Sequence, residues 1–394
     1  MALEKIREIN QSIFSDIVGF RQHMHRFPEL SWEESNTAAY VESILEKHQI
    51  SFSRIAVNGV VAIIHGSNSS KKCIALRADM DALPIHELST AKYCSTIPNV
   101  MHACGHDVHT ASLLGTAIIL NALKNEWEGS VKLIFQPSEE KQPSGAKAMI
   151  DAGVLSNPKV DAILGQHVTP ELEVGKIGYR AGKFMASADE LYIKVIGKGG
   201  HAASPHKCID PILIASHIVI ALQQLVSRNA SPIIPTVLSI GDISGKGATN
   251  IIPDFVEMKG TLRTFDEKWR SEMHQKIVDI CESIATGMGG KVEVHIPPGI
   301  PYVENNIDLT NQFVEFSKTY LGDDKIVEMD IRMGAEDFSY YTHQVPAFFY
   351  RLGTGNIFKG ITANIHTPNF DIDEEAFRHS SGLMAFVAIE MLKK

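Results

Sequence analysis

Short apolar runs alternate with helical periodicities through the first part of the chain, and few folds accommodate that alternation. Residues 59–66 (GVVAIIHG) and 73–80 (CIALRADM) read as strands, 109–125 as a helix, 130–140 (SVKLIFQPSEE) as a strand, 144–155 as a helix and 160–168 (VDAILGQHV) as a strand. Strands separated by helices predict a mostly parallel sheet covered on both faces. Polar groups able to bind metal recur where those strands end: Asp79 and Asp81, Glu139 and Glu140, and His167. In open α/β sheets ligands bind beyond the carboxyl ends of the strands. Three recurrences point to one site.

The middle of the chain has a different rhythm. Residues 188–198 read as a strand, 208–227 as a helix, 234–243 and 253–265 as strands, 266–288 as a helix and 290–297 as a strand. That βαββαβ order predicts an α+β, ferredoxin-like domain. The αβ style then returns. The 394 residues are therefore expected to form an α/β protein of two domains, one from 1–183 plus 298–394 and an inserted one from 184–297.

A net charge of −9, with both signs interspersed, provides no basic face for nucleic acid. No apolar run reaches the roughly 20 residues that cross a bilayer. The start, MALEKIREINQSIFSDIV, reads as an amphipathic helix rather than a secretory signal. A cytoplasmic protein without membrane contact is the expectation. There, five scattered cysteines (Cys73, Cys94, Cys104, Cys208 and Cys281) argue against a disulfide framework.

The densest chemistry lies in NVMHACGHDVHTASLL, with His102, Cys104, His106, Asp107 and His109. Cys104 taken alone is a nucleophile, a buried thiol or a metal ligand. A thiolate and an imidazole two residues apart, with Gly105 between them, can face one ion. Glu139 and Glu140 read as a solvated acidic turn or as a working pair, one carboxylate on metal and one accepting a proton. Asp79 or Asp81 can cap a turn or orient a ligating imidazole. His167 and His366, taken singly, read as structural histidines.

Ten motifs then occur in order: HRFPELSWEE, LRADMDALPI, HACGHDVHT, FQPSEE, GQHV, GKGGHAASPH, TNIIPD, GTLRTF, MGAEDFSYY and HTPNFDIDE. Together the chain resembles the peptidase M20 family, in its aminoacylase/hippurate hydrolase-like amidohydrolase subgroup, from about residue 20 to the C-terminus. The resemblance implies a metallohydrolase domain interrupted by a lid or dimerisation domain. It implies two divalent metal ions (Zn, Mn, or Ni/Co) held by Cys104, His106, Glu140, His167 and His366. It makes Glu139 the general base and Asp81 the residue that orients a ligand or the base. His201 would hydrogen-bond the oxyanion, and Asn250 and Arg263 would bind the substrate carboxylate. The wider superfamily has His-x-Asp where this chain has Asp79-Met80-Asp81, which leaves a role for Asp79 on metal open.

The implied reaction is hydrolysis of N-acyl amino acids, acetylated, benzoylated or similar, with a small-molecule substrate and a homodimer formed through the inserted domain. The alternatives are a dipeptidase or carboxypeptidase of the same family, a cysteine hydrolase using Cys104, and a non-enzymic amino-acid- or peptide-binding homologue.

Overall fold

The helix His106–Ala122 is enclosed on every side, and its residues from His106 to Leu120 are all buried. Such a helix can only be internal. It packs against Phe14–Arg26 and Phe377–Leu392, and lies over the Cys73–Asp79 strand. The computed structural model describes residues 2–69 and 71–393 and divides them into two units.

The first unit spans Met1–Gly182, Glu304–Asp330 and Tyr340–Lys394. Its eight-stranded sheet runs in the order Phe52–Ile55, Gly59–His65, Ser130–Gln136, Cys73–Asp79, Ala162–Glu173, Ala347–Gly355, Ile177–Tyr179, Ile326–Glu328. The four strands from Ser130–Gln136 to Ala347–Gly355 are mutually parallel. Every residue of Cys73–Asp79, Ser130–Gln136 and Ala347–Gly355 is buried, as parallel strands covered on both faces require. The predicted mostly parallel sheet is present. Antiparallel pairs flank it: Gly59–His65 with Ser130–Gln136, Phe52–Ile55 with Gly59–His65, and Ile177–Tyr179 with Ala347–Gly355. Sequence patterning misses Phe52–Ile55 and Ile177–Tyr179 because neither is a sustained apolar run.

Total burial of a strand leaves its polar residues to be answered internally. Lys132 donates from Nζ to the carbonyls of Val154 and Ser156 at 2.7 Å and of Pro158 at 2.9 Å. It thus ties the strand before Glu139 to the turn that leads into the next strand.

The second unit spans Lys183–Val303 and Ile331–Ser339. Its antiparallel sheet runs Thr236–Ser244, Phe255–Thr264, Asp189–Ile196, Lys291–His295. The helices Pro211–Gln224 and Glu267–Gly287 share a core with that sheet. Asp210 caps the first helix, accepting the Ile212 and Leu213 N–H groups ahead of Pro211, and Asp266 caps the second by accepting the Trp269 N–H. The segment Pro211–Asn229 is apolar enough for a bilayer span by length and composition. Ile214, Ile218 and Leu222 pack into the core, while Leu213 and Ile220 are exposed.

Where the sequence reading closes the insert at 297, residues up to 303 and the distant 331–339 also belong to this unit. Ala186 N–H donates to the carbonyls of Arg332 and Gly334, and Ala188 and Ile300 exchange backbone hydrogen bonds. Isolated bridges have no periodicity that a sequence could display.

We expect Lys132→Met to lower stability by about 1–3 kcal/mol, because the buried Val154 carbonyl and two part-buried carbonyls lose a charged donor. The urea midpoint of unfolding measures it.

Candidate metal centre

The carboxyl ends of three of the parallel strands deliver polar side chains to one place. Asp79 is the last residue of its strand, Asp81 lies two further on, Glu139 and Glu140 follow Ser130–Gln136, and His167 lies within Ala162–Glu173. Cys104 and His106 bracket Gly105, the residue that starts the buried helix. Gly105 has φ +81°, and a Cβ there would meet Val168 Cγ2 at 2.5 Å. Only glycine fits the turn that puts a thiol and an imidazole on one side. The QPSEE turn depends on Gly145 in the same way, since a Cβ there would lie 1.6 Å from the Pro137 carbonyl.

Donor atoms of the five residues implied as ligands come together. Cys104 Sγ lies 3.3 Å from His167 Nε2 and 3.2 Å from His366 Nε2. His366 Nε2 is 3.2 Å from Glu140 Oε1, which is 3.9 Å from His106 Nε2. Two groups with mutual spacings under 4.8 Å result, Cys104/His106/His167 and Cys104/Glu140/His366, with the sulfur in common. Glu139 Oε2 is 4.0 Å from His106 Nε2 and belongs with His106 and Glu140 in a third group.

The far nitrogens of two of these imidazoles are occupied. His106 Nδ1 donates to Asp81 Oδ1 at 3.1 Å, and His167 Nδ1 donates to the Val168 carbonyl at 2.7 Å. Each therefore turns Nε2 inward, the arrangement that ligating histidines require. Asp81 also accepts from Ser31 Oγ at 2.7 Å and from the Glu140 N–H at 3.0 Å, so it orients an imidazole and the Glu139-Glu140 turn together. Asp79 is spent otherwise: Oδ2 accepts from Arg77 and Oδ1 from His109 Nδ1, both at 2.6 Å. His109 Nε2 accepts the Val168 N–H, so both of its nitrogens are used and it braces the strand beside His167.

The electrostatics ask for a cation. Burial, reinforced by Glu140 and Glu139, holds the Cys104 thiol well above the usual range. Burial opposes charge on His106, but Asp79, Asp81 and Glu140 outweigh it and push its pKa up to about 10. His106 Nε2 and Glu140 Oε1 are buried without a hydrogen-bond partner. Inward Nε2 atoms, a thiol and orphaned carboxylate oxygen fit a thiophilic divalent ion.

The other residues singled out in the sequence lie in the second unit. The ribbon pairing Gly200–His201 with Ile251–Ile252 brings His201 next to Asn250, whose carbonyl accepts the Ala202 N–H. His201 Nδ1 accepts the Ala203 N–H at 3.1 Å, which leaves Nε2 to carry the proton. Arg263 lies on the separate strand Phe255–Thr264 and donates from Nε to Thr261 Oγ1.

Sequence reasoning missed two supports of the site. Glu34 is buried and accepts the Ser138 N–H at 2.7 Å, which fixes the turn before Glu139. Arg21 and His25 are buried beside Asp107, to which they donate at 2.9 and 2.8 Å. The signal for Arg21 was its place on the apolar stripe Ile17, Phe20, Met24 of its helix, where an arginine must be paired.

The sequence profile of Peptidase family M20/M25/M40 matches residues 75–389. The chain is 39% identical to an N-acetylcysteine deacetylase of Bacillus subtilis, over 98% of this chain and 99% of that one. It is 37% identical to thermostable carboxypeptidase 2 of Saccharolobus solfataricus, over 100% and 99%. A solved dinuclear metal-binding peptidase of the M20 family from Bacillus subtilis superposes with a TM-score of 0.83 at 35% identity, covering 97% of this chain and 99% of that one. This protein belongs to peptidase family M20 and is an amidohydrolase, a hydrolase of amide bonds that works with divalent metal.

Ligation requires Cys104 as thiolate and His106 with a free Nε2 lone pair. In the metal-free chain the neighbouring carboxylates favour the imidazolium form of His106 at neutral pH, and the raised thiol keeps its proton. Metal uptake at pH 7 should therefore release protons, and affinity should fall as pH falls. Calorimetric titration of the apo-protein in buffers of differing ionisation enthalpy measures the number released.

Proposed function

We propose that the protein hydrolyses N-acyl amino acids, acetylated, benzoylated or similar, to a carboxylate and a free amino acid. The observation that carries this reading is the placing of Glu139 within 4.0 Å of His106 Nε2, at the edge of the donor groups built around Cys104. The deacetylase likeness over nearly the whole chain supports the substrate class.

In this reading Cys104, His106, Glu140, His167 and His366 hold two divalent ions, zinc, manganese, nickel or cobalt. When bound, such ions polarise the amide carbonyl and acidify the attacking water. Glu139 takes a proton from that water as the new C–O bond forms. It returns the proton to the amide nitrogen as the C–N bond breaks, so the amine leaves neutral. Asp81 keeps His106 turned inward and the Glu139-Glu140 turn in place. His201, with its proton on Nε2, is the donor to the oxyanion. Asn250 and Arg263 take the substrate carboxylate, Arg263 through its guanidinium fork.

A dipeptidase or carboxypeptidase activity is the second reading, favoured by the carboxypeptidase likeness. The apo-protein reloaded with each metal, tested against N-acyl amino acids and short peptides, separates the two. Preference for peptides would overturn the first reading. Glu139→Ala should lower kcat about 100- to 10,000-fold with metal content unchanged. Retained turnover would remove Glu139 from its role.

The inserted unit serves in this reading as lid and dimerisation domain of a cytoplasmic enzyme. Exposed Leu213, Ile220 and Ile243 on that unit support a homodimer. Sedimentation should show a dimer that Ile220→Glu dissociates.

A further inference from the structure

The loop that carries His366 has no regular structure between Ile365 and Asp373. His366 itself sits in the left-handed region, at φ +62°. Its backbone N–H donates to the Ala103 carbonyl at 2.7 Å, one tie to the segment that carries Cys104. Further along the loop, the Leu88 N–H donates to the Pro368 carbonyl at 2.9 Å, and Phe370 is buried in the core beside Gly105. A charged tie to the start of the ligand-bearing helix adds a fixed direction to these contacts, and His366 Nε2 lies 3.2 Å from Cys104 Sγ.

Arg21 supplies it. Its guanidinium is wholly buried and faces two segments at once. Nε donates at 2.9 Å to Asp107 Oδ2, on the residue after His106. Nη2 donates at 2.8 Å to Asp371 Oδ1, five residues after His366. Nη1 lies 3.4 Å from Glu374 Oε1. Tyr93 closes the arrangement, with its ring 4.6 Å from the guanidinium carbon and its hydroxyl donating to Asp371 Oδ2 at 2.9 Å. His25 adds a bond to Asp107 at 2.8 Å. An arginine that only anchored its own helix would need Asp107 alone. The contact to Asp371 has a different consequence, because it links the start of the ligand-bearing helix to the loop of His366.

We propose that Arg21 is a positioning residue for the metal centre: its fork joins Asp107 to Asp371 and so fixes the spacing between Cys104, His106 and His366. This rests on the reading of those residues as metal ligands. A planar fork can bridge two carboxylates in fixed directions, whereas a lysine ammonium on a flexible stem cannot. Loss of an outer support of this kind weakens metal affinity about 10- to 100-fold.

The test is cobalt(II) titration of the metal-free full-length chain, followed by the sulfur-to-cobalt charge-transfer band and by the stoichiometry after dialysis. Arg21→Lys keeps the charge and removes the fork. Asp371→Asn keeps Arg21 paired with Asp107 and weakens only the arm to the loop, so it carries the test if Arg21→Lys does not fold. The expected result is cobalt bound about 10- to 100-fold more weakly, with a shifted charge-transfer band and a native circular dichroism spectrum. A folded variant that binds two cobalt ions with the affinity and band of the unaltered protein would overturn the proposal. If the unaltered protein itself gave no charge-transfer band, and Cys104→Ala bound cobalt equally well, the ligand reading would fail instead.

Discussion

Like charge gathered out of water at one end of a parallel sheet is the constraint on which the rest of this structure depends. Asp79, Asp81, Glu139 and Glu140 converge there, beside a thiol. Such a cluster persists only if each carboxylate is hydrogen-bonded or faces positive charge. Asp79 has Arg77 and His109, and Asp81 has His106, Ser31 and a backbone N–H. Glu140 keeps a buried oxygen without a hydrogen-bond partner. The charge that is answered within the chain builds the frame, and the charge that is not makes the place where a cation belongs.

The same division explains what the sequence could disclose. Strands of Val, Ile, Leu and Ala with polar ends were legible as runs, and their ends located the site. The βαββαβ order was legible because each element is long enough to show its period. Cys104-Gly105-His106 and Glu139-Glu140 were legible by proximity in the chain, but a role for lone His167 or His366 came only through resemblance. The edge strand Phe52–Ile55 was not legible, since an edge position asks little of a sequence, and the three-residue strand Ile177–Tyr179 is too short to show a period. The attachment of 331–339 to the second unit was not legible either, because it is made by single backbone bridges.

Supports of the centre were hidden for a related reason. Arg21, Glu34 and Asp371 act on residues 86, 104 and 350 positions away in the chain. Each is an ordinary charged residue in its own segment and acquires meaning only from burial. Arg21 stood beside HRFPELSWEE on an apolar stripe that shows it must be paired but not with what, and Glu34 stood within the motif with no such signal. The outer layer of this centre is thus more dispersed than its inner layer. Any reading that follows clusters of His, Cys, Asp and Glu along a chain will find the second before the first.

One atom joins the groups that hold the two lone histidines. Cys104 Sγ belongs to the donor group of His167 and to that of His366, whereas each of those imidazoles belongs to one. Damage to either imidazole would be local, but a change at the sulfur is felt on both sides of the centre at once. In the proposed centre the sulfur is an oxidisable point common to both donor groups. That point lies in the interior, as a thiol that gives up its proton reluctantly, which slows the reactions that begin from a thiolate. Vulnerability and shielding coincide there, so the folded frame around Cys104 works as chemical armour as well as scaffold.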